Sequence, residues 1–284
     1  MPIAEILHPH LKDLGGGFTV RRLLPAAERQ AVGPFVFFDH FGPVTSVPGS
    51  NHDVRPHPHI GLSTITYLFE GAMMHRDSTG VVQRIEPGAI NWMTAGKGIV
   101  HSERTPEDLR GAAHVMHGLQ LWCALPAAQE ECDPGFVHTP AAAIPQVEAP
   151  GYTARVLIGT MFGVTSPVTP RSPTLYVEAA LAPGAVLDLP ESAFERAVYG
   201  LDHAVIIDGV TVEPYTLAVL THAAAQIVAP AGARLALIGG EPLGHRHIVW
   251  NFVSSRRERI EQAIADWRAQ AFDGVPGETE FIPY

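Results

Sequence analysis

Apolar residues in this chain come in short runs that alternate with polar ones, and turn-forming residues break the runs. "LSTITYLFEG" (62–71) is rich in Thr, Ile, Tyr and Phe and stops at Gly71, which predicts a strand. "VVQRIEPGAI" (81–90) alternates briefly and turns at Pro87-Gly88, and "INWMTAGKGIVHSE" (90–103) predicts two strand pieces around a Gly-containing turn. "MHGLQLWCALP" (116–126) alternates and ends at Pro126, while "PFVFFDHFGP" (34–43) predicts an aromatic strand or loop. The second half repeats this style in "TLYVEAALAPGAVLDLP" (174–190), "HAVIIDGVTVEP" (203–214), "LAVLTH" (217–222) and "AQIVAPAGARLALIGG" (225–240), punctuated by Asp-Gly, Pro-Gly and Ala-Gly turns. Two halves of similar strand spacing predict an all-β fold built from a duplicated barrel. Residues 127–150, Ala- and Pro-rich with little periodicity, predict a linker with room for one short strand, and thus domains over 1–135 and 136–284.

The period changes near the C-terminus. In "SSRRERIEQAIADWRAQAF" (254–272), Ile260, Ala263, Ile264, Trp267 and Ala271 recur at helical spacing, which predicts one helix packed on a barrel wall. Ser255 with Glu258 three residues later predicts a capping box at its start. The tail "VPGETEFIPY" reads as an extended arm on the surface.

Composition narrows the function classes. The net charge of −10 over 284 residues disfavours binding to phosphate backbones or anionic lipid, so neither nucleic acid nor membrane is expected as a partner. The only basic cluster, Arg256-Arg257-Glu258-Arg259, reads as a solvated helix face. Two cysteines, Cys123 and Cys132, make no disulfide framework and suggest a reducing compartment, with Cys123 an inert buried thiol. "MPIAEILHPH" has no basic segment followed by an apolar run, and no stretch approaches a membrane span, so a cytoplasmic location is expected.

The chain holds 15 histidines, several of them crowded between 52 and 117. In "RPHPHIGL" (55–62), Pro58 pushes His57 out of the α region, so His57 and His59 sit in an extended segment. Residues two apart on a strand share a face, about 6.6 Å apart, close enough for two imidazoles to meet on one ion. "GKGIVHSE" repeats the spacing with His101 and Glu103, and the intervening residues suffice to make the two strands neighbours. Three imidazoles and one carboxylate then converge on a metal; the competing reading is surface histidines flanking turns. This donor set suits Fe, Ni, Cu, Mn or Zn and contains no thiolate for softer ions. Gln120 could hydrogen-bond a metal-bound oxygen or make a structural bond, and Phe38 with Phe41 could wall an apolar pocket or pack the core. His114 and His117 lack same-face spacing and read as supporting or surface groups. His245 and His247 copy the HxH spacing with no HxE after it and read as surface. His52, Asp53 and His75 carry no assigned role.

"RPHPHIGLSTITYLFEGAMMHRDSTG" with "EPGAINWMTAGKGIVHSE" resembles the metal motifs of the cupins, in the form they take in the pirin family. "HGLQLWCALP", the two-half layout and "IVWNFVSSRRERIEQAIADW" extend the resemblance over nearly the whole chain. The resemblance implies a bicupin, two jelly-roll barrels face to face, with metal in the N-terminal one only. It implies His57, His59, His101 and Glu103 as ligands of one divalent metal, Fe2+ foremost. Bacterial members resemble quercetin 2,3-dioxygenases, which open the heterocycle of a flavonol with O2 and release CO; on that reading Glu103 also takes the substrate proton. The alternatives are a non-enzymatic, redox-sensitive iron protein that regulates a protein partner, and a structural bicupin with a vestigial site.

Overall fold

A computed structural model describes residues 2–14, 18–50 and 52–284. The chain forms two compact units, and neither is one run of sequence. One comprises Met1–His10, Arg21–Phe37 and Ala142–Pro242; the other comprises Leu11–Val20, Phe38–Ala141 and Leu243–Tyr284. A single cut near 135 therefore does not describe the domains. The reason lies in two long-range pairings. Strand Ile3–Leu7 pairs antiparallel with Leu217–Leu220, which carries the N-terminus into the C-terminal barrel. The helix Arg257–Arg268 turns Ile260, Ala263 and Trp267 onto Ile60, Val100 and Phe252, which ties the C-terminal segment to the histidine-bearing barrel.

Both barrels are made the same way, from a seven-stranded and a four-stranded antiparallel sheet. In the N-terminal barrel the larger sheet runs Gly135–Thr139, Ile90–Thr94, Leu62–Glu70, His114–Ala124, Phe35–Ser46, Thr19–Leu24, His10–Asp13. The smaller runs Val54–His59, Ile99–Arg104, Met73–Asp77, Val82–Ile85. In the C-terminal barrel the smaller sheet runs Ala185–Leu189, Ala225–Ala229, Val205–Ile207, Val210–Val212, the same order of first, fourth, second and third strand. Its core lies between its two sheets and includes Val177, Val198, Leu187, Ile227 and Leu237. Alternation makes this possible: Ala185, Leu187 and Leu189 are buried, whereas Val186 and Asp188 are exposed. Asp208 and Gly209, both at positive φ, close the Val205–Ile207/Val210–Val212 hairpin, the role an Asp-Gly pair fills best.

Two local expectations need correction. Residues 127–150 are more ordered than a linker. Gly135–Thr139 pairs with Ile90–Thr94, and Gln146–Ala149 pairs with Tyr152–Ile158, so each half-exposed strand forms the edge of one large sheet. The capping box does not form. The helix is preceded by Arg256 with no side-chain cap, because the Ser255 hydroxyl donates instead to the buried carboxylate of Glu130 at 2.9 Å. Among the described residues no helix is long and apolar enough to cross a membrane.

Candidate metal centre

The first two histidines are set by a stiff extended frame. Val54–His59 is a strand, and both His57 and His59 are buried, 6 % and 1 % exposed. Its neighbour Ile99–Arg104 pairs antiparallel, with His101 directly opposite His57 and Ile99 opposite His59. The three imidazoles therefore crowd together, with ring centroids 5.0 Å apart for His57–His59, 4.3 Å for His57–His101 and 5.0 Å for His59–His101. One nitrogen from each forms a set lying within 4.8 Å of one another.

The hydrogen bonds choose which nitrogen is free. His57 Nδ1–H donates to the Arg55 carbonyl at 2.8 Å and His59 Nδ1–H to the Asn251 carbonyl at 3.0 Å, which fixes the tautomer that leaves each Nε2 lone pair open. His101 has neither ring nitrogen bonded, although both are buried. A buried unpaired nitrogen is unfavourable unless something occupies its lone pair. Burial also lowers the basicity of all three: His57 falls to about 4, and His59 and His101 fall well below the usual histidine range, each helped by the neighbouring imidazoles. Three neutral, convergent, dehydrated imidazoles fit a divalent cation of the borderline class.

Glu103 lies two residues beyond His101 on the same strand, Ile99–Arg104. It is buried on the same strand, but it lies outside the set of ligand atoms that the three histidines form. A register shift between His101 and Glu103 places Glu103 opposite Val54 on one side, while on the other side it stays in register opposite His75. Its Oε1 accepts a 3.2 Å hydrogen bond from Gln120 Nε2, whose Oε1 accepts one from Thr66 at 2.9 Å. Burial pushes the Glu103 carboxyl up to about 7, and the Gln120 bond offsets only part of that.

The remaining candidates divide plainly. Gln120 is half-buried beside Glu103. Phe38 has no exposed surface and packs in the core, so in this structure it lines no open space; Phe41 packs with Phe18, Leu68 and Met116. His117 is buried with its Nε2 2.8 Å from His40 Nε2. His245 is exposed and His247 half-buried. His52 hydrogen-bonds Ser46 and stacks on Phe18; Asp53 accepts from Thr105 N and Arg110. Cys123 is 2 % exposed and burial raises its thiol.

Sequence reasoning left out the supports around the cluster. His75 packs 5.3 Å from the His101 ring, stacks on Phe136, and its Nε2 meets Asp77 Oδ2 at 2.9 Å. Trp122 meets His59 edge-on at 5.0 Å. The carbonyls of Arg55 and Asn251 are backbone groups that no side-chain pattern could reveal.

Among the described residues the C-terminal barrel has no counterpart of the cluster. On the strands that occupy the same places in its smaller sheet, the buried residues are Ala185, Leu187, Leu189, Ala225, Ile227 and Ala229. Among the described residues, His57, His59 and His101 of the N-terminal barrel are the group placed to hold a metal ion.

Known proteins bear on the same residues. The family profile described as "Pirin" matches residues 17–123, which contain the whole cluster, and that described as "Pirin C-terminal cupin domain" matches 176–273. A pirin-like protein of Caulobacter vibrioides is 48 % identical over 91 % of this chain and 90 % of its own. Human pirin is 34 % identical over 89 % of this chain and 88 % of its own. A crystal structure of quercetin 2,3-dioxygenase from Acinetobacter baumannii superposes with a TM-score of 0.91 at 34 % identity, covering 99 % of this chain and 94 % of that one. With both halves matched in order and the histidine cluster inside the first match, the chain belongs to the pirin family, and its fold is the bicupin.

Proposed function

We propose that the protein is a dioxygenase of the quercetin 2,3-dioxygenase type, using one Fe2+ to open the heterocycle of a flavonol with O2 and release CO. The observation that carries this reading is the buried, neutral, three-histidine set with His101 left unpaired. The 34 % identity to the Acinetobacter baumannii enzyme over almost the full chain supports the substrate class. A divalent metal would be held by His57, His59 and His101 and would supply a Lewis acid for a substrate oxygen.

The chain's own residues supply the rest. Glu103, with a carboxyl near 7, is matched to accept the proton of the flavonol 3-hydroxyl at neutral pH. Gln120 holds that carboxylate and is itself held by Thr66, so the base has a fixed direction. Burial of the three rings keeps water away from the chemistry.

The test is oxygen uptake and CO release by iron-loaded protein given quercetin. Equal amounts of both are expected; iron-loaded protein that yields neither removes the enzymatic reading and returns the regulatory one. Glu103→Gln keeps the acceptor for Gln120 and leaves the histidines intact, so metal content stays and kcat/KM falls by about a hundredfold. In the wild type, kcat/KM rises with pH as Glu103 loses its proton. A bound cation favours the carboxylate, so the rise is centred at or below 7, and the variant loses it. Full turnover by the variant with an unchanged pH profile would remove the base role.

A further inference from the structure

His101 is the cluster histidine that no hydrogen bond orients. The Arg55 and Asn251 carbonyls hold the His57 and His59 rings, whereas both His101 nitrogens lack a partner. Its place is therefore set by packing and by the strand that carries it, Ile99–Arg104. Neighbours along a strand point to opposite faces. His101 and Glu103 face the inside of the barrel, where His101 meets His57 and His59 and Glu103 meets Gln120. Val100, Ser102 and Arg104 face outward, and Val100 packs under the C-terminal helix with Ile260 and Trp267.

The C-terminal arm grips that outer face. Val275 joins the Val100 cluster, and the chain turns there, with Glu278 N–H donating to the Val275 carbonyl at 3.1 Å. The Glu278 carboxylate reaches back to the strand. Its Oε1 accepts from the Ser102 hydroxyl at 2.5 Å, and its Oε2 accepts from Arg104 Nε at 3.2 Å and from Arg104 Nη2. These contacts are sheltered: Ser102 has no exposed surface and the Glu278 side chain is 9 % exposed. Further on, Ile282 N–H donates at 2.8 Å to the carbonyl of Pro56, the residue before His57, and the Ile282 carbonyl accepts from Trp267 Nε1 at 3.0 Å. The arm thus touches both histidine-bearing strands from the side opposite the histidines.

We propose that Glu278 is a positioning residue for the metal centre, fixing His101 through Ser102 and Arg104. A functional side chain has to be held within about 0.5 Å of its productive position, and that takes support from behind. Charge-assisted hydrogen bonds to the residue next to His101 give that support, and they are stronger than neutral ones. Glu280 also accepts from Arg104, at 2.9 Å, but its side chain is 58 % exposed. Asp53 lies 3.6 Å from Arg104 Nη1, so loss of Glu278 does not leave that guanidinium without a counter-charge. The role rests on the three-histidine centre and not on the substrate or reaction proposed above.

Co2+ titrated into the metal-free, full-length protein tests this, read by visible ligand-field absorption and by competition with a chelator, well below the unfolding temperature. Glu278→Ala should weaken Co2+ binding about tenfold and shift the absorption bands, because His101 then stands differently on the ion. Ser102→Ala should act in the same direction, and it alone decides if Glu278→Ala does not fold. Glu280→Gln should bind as the wild type does. The role is overturned if folded Glu278→Ala or Ser102→Ala keeps wild-type affinity and bands, even with a lowered Tm, since that is how a structural anchor behaves. It is overturned too if Glu280→Gln weakens binding as much as Glu278→Ala, which would make the effect one of general charge. A wild type that binds no Co2+ removes the three-histidine centre itself, and this role with it.

Discussion

Replacing His101 with leucine is expected to remove the metal without unfolding the protein. His101 pairs directly with His57, and neither of its ring nitrogens has a hydrogen-bond partner. In the metal-free chain its polar atoms are a burden of about 1–3 kcal/mol, the usual effect of a buried unsatisfied group. Leucine relieves that burden and fills a similar volume. The metal-free variant should therefore match or exceed the metal-free wild type in stability. Metal-loaded wild type should gain further stability on adding Fe2+, by about 4 kcal/mol at a thousandfold excess over Kd, and the variant should gain none. Elemental analysis and thermal unfolding with and without metal measure both effects. If the variant kept wild-type metal content, or if added metal left the wild-type Tm unchanged, the three-histidine centre would be wrong. A histidine present only for packing gives the opposite stability result, because its replacement would gain nothing in the metal-free state.

The sequence carried most of the strands and the three histidines, because both signals are local. The β-branched and aromatic residues of "LSTITYLFEG" mark Leu62–Glu70, and a proline on either side of His57 marks an extended pair. What escaped it depends on residues distant in the chain. Ile3–Leu7 finds its partner more than 200 positions away, at Leu217–Leu220, and nothing near it announces that. Ser255 reads as a helix cap until Glu130, a buried carboxylate from another element, takes its hydroxyl. Glu103 has a ligand's spacing, but it stands opposite Val54 rather than Arg55, because the opposing strand carries an extra residue between Val54 and His57. Bulges of this kind arise from pairing, and pairing is a property of two segments together.

Glu130 should be the most sensitive side chain outside the metal centre. It is 2 % exposed and gathers Ser255 N, Ser255 Oγ, Ser254 Oγ and Arg246 Nε onto one carboxylate, each within 3.0 Å. Glu130→Ala leaves the Arg246 guanidinium, itself 4 % exposed, without its counter-charge, which destabilises the fold by about 3–5 kcal/mol in urea unfolding. Restoring neutrality should undo most of that: the double variant Glu130→Leu with Arg246→Met removes both charges and keeps the volume, so it should recover the greater part of the loss. The metal centre should also respond. Asn251, whose carbonyl orients His59, lies between Arg246 and Ser254, the stretch that Glu130 holds at both ends. Freed of Glu130, that carbonyl no longer fixes the His59 tautomer, and metal affinity should fall by about tenfold. A single variant that lost stability but kept wild-type metal affinity would separate the two roles and leave Glu130 a purely structural anchor.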